Sequence, residues 1–202
     1  MRPEFYANKN LKKAFKFDPS PDSVHDTRVA LRKYYVVASA LSRLCYLPEC
    51  LYYSKEIVKI LGVIRDSDIS GCIPIKRDEL VSKVSRLLPK ISNCYLPKIY
   101  GSRLVVYEKI RDVYLTLEVK EFHEFRKKVR MVYYLVESVG EDASSLKEIS
   151  KKLGDMRDKF LIESCGKKDF NIPLNQELIS EVKAIIREII MRSEFHHLRD
   201  LI

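Results

Sequence analysis

The sequence predicts an all-α protein, and three observations carry that prediction. Only six glycines and eight prolines occur in 202 residues, and most of them gather at a few breaks. Between the breaks, apolar residues return with the 3.6-residue period of a helix rather than the alternation of a strand. The breaks themselves carry helix start and stop signals, such as DPSPDS before one long segment and Gly140 after another.

The elements follow in order. Residues 1–19 hold a short amphipathic pattern that stops before DPSPDS. That turn offers Ser20 or Asp22 as an N-cap and Pro21 for the first turn, so a long helix is expected to about residue 44. Pro48 breaks the chain, and a second helix is expected over about 49–69, ending at Ser-Gly-Cys-Ile-Pro. A third covers about 76–88, with Pro89 and Pro97 in the connection after it, and a fourth about 102–117. A fifth runs over about 119–139 and stops at Gly140; a sixth spans about 143–163. Residues 166–173 read as a polar loop and about 175–192 as the last helix. Two helix-rich halves result, 20–117 and 118–202. No linker rich in Gly or Ser separates them, so a single domain over 1–202 with a shared interface is expected.

Lys and Arg number 37 against 28 Asp and Glu, a formal net charge of +9. A balance this basic points to an anionic partner: nucleic acid, an acidic membrane surface or a phosphate polymer. No apolar run reaches membrane-spanning length, and the first residues, MRPEFYANKNLKKAF, lack the apolar stretch of a signal peptide. A soluble cytoplasmic protein is expected. Five cysteines without a C-x-x-C pair argue against a disulfide framework and a zinc finger, and are expected as small unpaired side chains.

One short stretch organises the chain. FHEFRKKVR at 122–130 is echoed by VHDTRVALR at 24–32, and both contain His-x-x-Arg-x-x-x-Arg. His25, Arg28 and Arg32 match His123, Arg126 and Arg130 at a constant offset of 98 residues. At about 100° per residue, Arg126, Lys127 and Arg130 fall within about 60° of His123. Phe122, Phe125, Val129, Val132, Leu135, Val136 and Val139 lie on the other side. The first copy repeats this, with Leu31, Tyr34, Ala38 and Leu41 opposite the stripe. A solvated helix face is the ordinary explanation of such a pattern. Here the stripe is nearly all cationic around its histidine, Glu137 joining it two turns along, and it occurs twice at one spacing. The histidines suit hydrogen bonding to phosphate; the flanking arginines would repel a metal ion, so no metal is expected.

A second signature follows each stripe. Leu61-Gly62-Val63-Ile64-Arg65-Asp66 recurs as Leu153-Gly154-Asp155-Met156-Arg157-Asp158, at an offset of 92. The glycine is expected to let a neighbouring helix come close. Adjacent residues on a helix do not face each other. Asp66 and Asp158 are therefore expected to form structural salt bridges with a cation on the adjoining histidine helix. For Arg65 and Arg157, a structural role and ligand contact both fit.

The ordered double set, His-x-x-Arg-x-x-x-Arg then Leu-Gly-x-x-Arg-Asp, resembles the conserved-histidine α-helical domain (CHAD) family from about Val24 onward. The resemblance implies two pseudo-symmetric helical bundles around a basic central cavity. It also implies binding of inorganic polyphosphate and, in some members, association with polyphosphate granules or polyphosphate-metabolising enzymes. The family's run of cations after the second arginine is thin here. Lys33 keeps one place, Met131 holds its counterpart, and Tyr35 and Tyr133 stand where a further arginine often occurs; Lys127 and Lys128 are expected to compensate.

Polyphosphate has no bases, so a protein reads it with an array of cations, with arginine forks matching phosphate oxygens. The expected contacts are Arg28, Arg32, Lys33, Arg65, Arg126, Lys127, Arg130 and Arg157, assisted by His25 and His123. Nucleic acid is the competing ligand, since twelve tyrosines could stack on bases. However, no helix-turn-helix or RNA-binding signature is present. An enzyme acting on phosphoanhydrides is the other alternative. No Gly-rich phosphate loop exists, and no Ser or Cys stands beside a histidine. A binding module without cofactor is the expectation. His196 and His197 have no assigned part.

Overall fold

The computed structural model describes residues 1–165 and 172–199, with side chains to 192. Among the described residues every regular element is helical. The α-helices are α1 (Pro3–Ala14), α2 (Pro21–Ala40), α3 (Pro48–Ser70), α4 (Arg77–Leu87), α5 (Ser102–Leu115), α6 (Phe122–Val139), α7 (Ser144–Glu163) and α8 (Gln176–Arg199). Short 3-10 turns at Leu41–Arg43 and Leu88–Ile91 finish α2 and α4, so the first long helix ends as α-helix about four residues before the expected boundary near residue 44. His196 and His197 lie beyond the described side chains.

Local chemistry sets the helices that matter for the site. Of the two candidate caps, Ser20 is the one used. Its extended backbone precedes Pro21, and its hydroxyl accepts the Ser23 amide at 3.3 Å. Gly140, at φ 84°, takes the left-handed conformation that ends α6. The apolar sides of the two stripe helices are buried as their spacing requires. Leu31, Tyr34 and Leu41 on one, and Phe125, Val129, Val132, Leu135 and Val136 on the other, are fully buried. Each such side chain contributes about 1.5–3 kcal/mol, and this burial fixes which face of α2 and α6 is left for the cations.

Helix α2 packs against α1 and α3, α6 packs against α7, and two further contacts join these groups: α2 with α6, and α3 with α7. The helices bearing the two signatures therefore meet in like-with-like pairs.

The cysteines overturn the sequence expectation. Cys50 bonds Cys94 and Cys72 bonds Cys165, with Cα separations of 5.6 and 5.7 Å; Cys45 is left free. Separations of 44 and 93 residues hid both pairs. Cys50–Cys94 is buried, tying the start of α3 to the segment after α4. Cys72–Cys165 is exposed and ties the C-terminal ends of α3 and α7. No helix of the described residues is long and apolar enough to cross a membrane.

Candidate anion-binding site

The stripes of α2 and α6 converge on a cavity of about 310 Å³. Seven of the ten expected cationic or histidine residues line it: His25, Arg28, Arg32, Arg65, Arg126, Arg130 and Arg157. A larger cleft, about 620 Å³, lies between α1 and the start of α2. It alternates Lys13, Lys16 and Lys33 with Asp18, Asp22 and Asp26, so its charges offset one another. The smaller cavity is predominantly cationic, its eight lysines and arginines facing only Asp155 and Asp158.

Arg28, Arg32, Arg126 and Arg130 are the centre of that charge. They come from two helices whose other faces are held in the core, so Arg126 is buried, at 8% exposure, and Arg28, Arg32 and Arg130 are half-buried. Among the described residues none of the four forms an ion pair, and the buried Nε atoms of Arg28 and Arg126 have no hydrogen-bond partner. Burial pulls all four pKa values down, and repulsion from neighbouring arginines adds to it. Arg32 is lowered furthest, to about 8, by burial and then by Arg28 and Arg130. Guanidinium nonetheless remains the charged form at neutral pH. Asp66 and Asp158 offset part of this lowering for Arg28, and Asp158 for Arg126 and Arg130, without pairing with any of them. Withdrawn cations left this far from full compensation are costly, and a bound anion would relieve that cost.

Arg65 and Arg157 are held differently. Arg65 donates to Asp158 Oδ2 at 3.0 Å, and Arg157 donates to Asp66 Oδ2 at 2.5 Å. Each aspartate thus serves the arginine of the other signature, across the contact of α3 with α7. The expected partner on a histidine helix is replaced, because Arg65–Asp66 and Arg157–Asp158 face each other across that contact. Arg157 also reaches back to its neighbour Asp158 at 3.1 Å, which a long, flexible side chain can do and a fixed helical spacing does not predict.

The histidines differ. Arg65 contacts Nδ1 of His25. Guanidinium has only donors, so a hydrogen bond here requires Nδ1 as the acceptor. His123 is exposed and outside the cavity lining. Partial burial and then Lys127, Arg126, Arg130 and Arg157 pull its pKa down to about 4.

Lys33 and Lys127 are also outside the lining. Lys127 is exposed on α6. Lys33 bonds Glu137 at 2.7 Å, and its ammonium stands 5.5–5.6 Å from the rings of Tyr6, Tyr133 and Tyr134. Tyr6 donates to the same carboxylate. This lysine ties α2 to α6 and α1, and Glu137 neutralises it.

The structure adds Lys147, Ser150 and Lys151 of α7 to the lining, together with Tyr134 and Asp155. The signal for the lysines was available. The second signature extends backward as Lys-Glu-Ile-x-Lys-x-Leu-Gly-x-x-Arg-Asp at both 55–66 and 147–158. Lys147, Lys151, Gly154 and Asp158 follow the 4-3-4 spacing of one helix face.

The signature glycines part company. A Cβ at Gly62 would stand 3.0 Å from Nη2 of Arg28, so this glycine admits a guanidinium rather than a neighbouring helix backbone. A Cβ at Gly154 would meet nothing within 4 Å, and Gly154 lines the cavity. No family model, curated protein or solved structure matches this chain.

Proposed function

We propose that this protein binds inorganic polyphosphate without processing it, in the cavity between α2, α6 and α7. The observation that carries the reading is the set of four withdrawn arginines on two helices with no carboxylate paired to them. Such a cluster is a standing demand for an anion. Arginine forks meet phosphate oxygens two at a time, and several phosphoryl groups in a row match several arginines in a row. The crossed pairs Arg65–Asp158 and Arg157–Asp66 support a pseudo-symmetric arrangement of two bundles around the site, as the repeated motifs suggest.

A cytoplasmic setting at polyphosphate granules is part of this proposal. Two bonded cysteine pairs are uncommon in that compartment, so counting free thiols in protein trapped at lysis bears on it directly. The binding reading is tested by titrating the protein with linear polyphosphate, single-stranded DNA and duplex DNA at matched salt. Polyphosphate is expected to win. DNA competing equally well would sink the proposal, and release of phosphate during incubation would replace a binding module with an enzyme.

A further inference from the structure

The cavity is lopsided although the motifs around it are repeated. Its lining takes seven residues from α7, among them Lys147, Lys151, Gly154 and Asp155, but only Arg65 from α3. The repeat mates of the two lysines, Lys55 and Lys59, are exposed and take no part in the lining. The cause is visible at the glycines. Arg28 lies against Gly62 and fills the space there, whereas the space at Gly154 is open. One side of the arginine cluster is thus closed by one of its own members, and the other opens between α6 and α7.

We propose that the site takes the end of a linear phosphate chain, with the terminal phosphoryl group innermost and the following groups leaving past Gly154 between Lys147 and Lys151. This rests on the polyphosphate reading above and narrows it to chain ends. Three physical points support it. A volume of about 310 Å³ holds only a short run of phosphoryl groups at one time. A terminal phosphoryl carries nearly two charges near neutral pH, as a phosphomonoester does, against about one for an internal group. The doubly charged end belongs where unpaired cations are most crowded, and the unpartnered Nε atoms of Arg28 and Arg126 mark that place. The exposed lysines, as mobile point charges, suit the singly charged groups that follow.

The test is stoichiometry. Intact protein is titrated with linear polyphosphate preparations of short, medium and long defined length. End binding gives two protein molecules per chain at every length, once chains are long enough to separate their ends. A number of proteins per chain that grows with length would overturn the proposal and leave the polyphosphate reading standing. Absence of binding at any length would remove both. Cyclic metaphosphate, which has no ends, is expected to compete at least tenfold more weakly than linear chains of equal phosphate count; equal competition overturns the proposal. Exposed lysines give a variant test without risk to folding. Lys147→Ala with Lys151→Ala is expected to weaken binding about tenfold, while Lys55→Ala with Lys59→Ala leaves it within twofold. Equal losses from the two pairs would also overturn it.

Discussion

The α2–α3 pair and the α6–α7 pair carry the same residues and hold them in different states. In the first pair, His25 is engaged by Arg65, Arg28 lies on Gly62, and the lysines before the glycine face solvent away from the cavity. In the second, His123 is exposed, Gly154 is open, and the matching lysines line the cavity. A repeated motif therefore fixes which residues are present but not what they do. One arginine side chain, placed over one glycine and not the other, is enough to separate the two copies.

The largest test of that comparison removes each stripe in turn. Arg28→Ala with Arg32→Ala, and Arg126→Ala with Arg130→Ala, are each expected to weaken polyphosphate binding 100-fold or more. That follows from about 1.5–3 kcal/mol per charged hydrogen bond and about 1.4 kcal/mol per tenfold. The slope of log affinity against log salt should shrink by about 1.4 in each case, at about 0.7 per phosphate contact for a single strand. A double variant that binds like the parent would show that its helix contributes nothing.

Next in size are the crossed ion pairs, read by urea or thermal unfolding. Asp158 holds both Arg65 and Arg157, whereas Asp66 holds one arginine. Removing a partner strands a half-buried cation. Asp158→Asn should therefore cost more stability than Asp66→Asn, within about 1–3 kcal/mol for each, because these pairs are partly solvated. Equal costs would remove the distinction.

The glycines should respond in opposite directions. Gly154→Ala puts a methyl group into open space and is expected to stabilise the protein by up to about 1 kcal/mol through helix propensity. Gly62→Ala pushes Arg28 aside and should lower affinity several-fold. Affinity that is unchanged by Gly62→Ala would mean that Arg28 does not need its seat.

The smallest effect is the titration of His123, followed by NMR. Its folded-state pKa of about 4 lies below the ordinary value, near 6.5. The unfolded chain therefore binds the proton first, and this group's contribution to stability falls as pH drops from about 6.5 to about 4. Bound polyphosphate would offset Lys127, Arg126 and Arg130 and raise the pKa, so binding takes up a proton and affinity rises as pH falls through that window. A His123 pKa unmoved by saturating polyphosphate would separate this histidine from the site altogether.

Much of this was legible in the sequence because it is local. Helix period, the Ser20 and Gly140 boundaries and the stripe angles all follow from residues within a few turns of one another. Lys33 was not legible in that sense. It sits on the stripe's edge by angle, and only the approach of α6 reveals that Glu137 neutralises it. The partners of Asp66 and Asp158 depend on how α3 meets α7, which no spacing along one helix encodes. Lys147 and Lys151 were readable, but only by carrying the repeat backward past Leu153. The cysteine pairs were hidden for a different reason: helix ends 44 and 93 residues apart must first be brought together.

The exposed Cys72–Cys165 bond has a consequence for a damaged molecule. It closes a ring of chain that contains α4 through α7. In the chain-entropy picture, closing a loop of this length restricts the unfolded state by on the order of 4–5 kcal/mol. It also means that a protease cutting the accessible turn at residues 116–121 would not release two pieces. The nicked protein would migrate as one species on a non-reducing gel and as two after reduction, with both walls of the cavity still fastened beside the crossed aspartates.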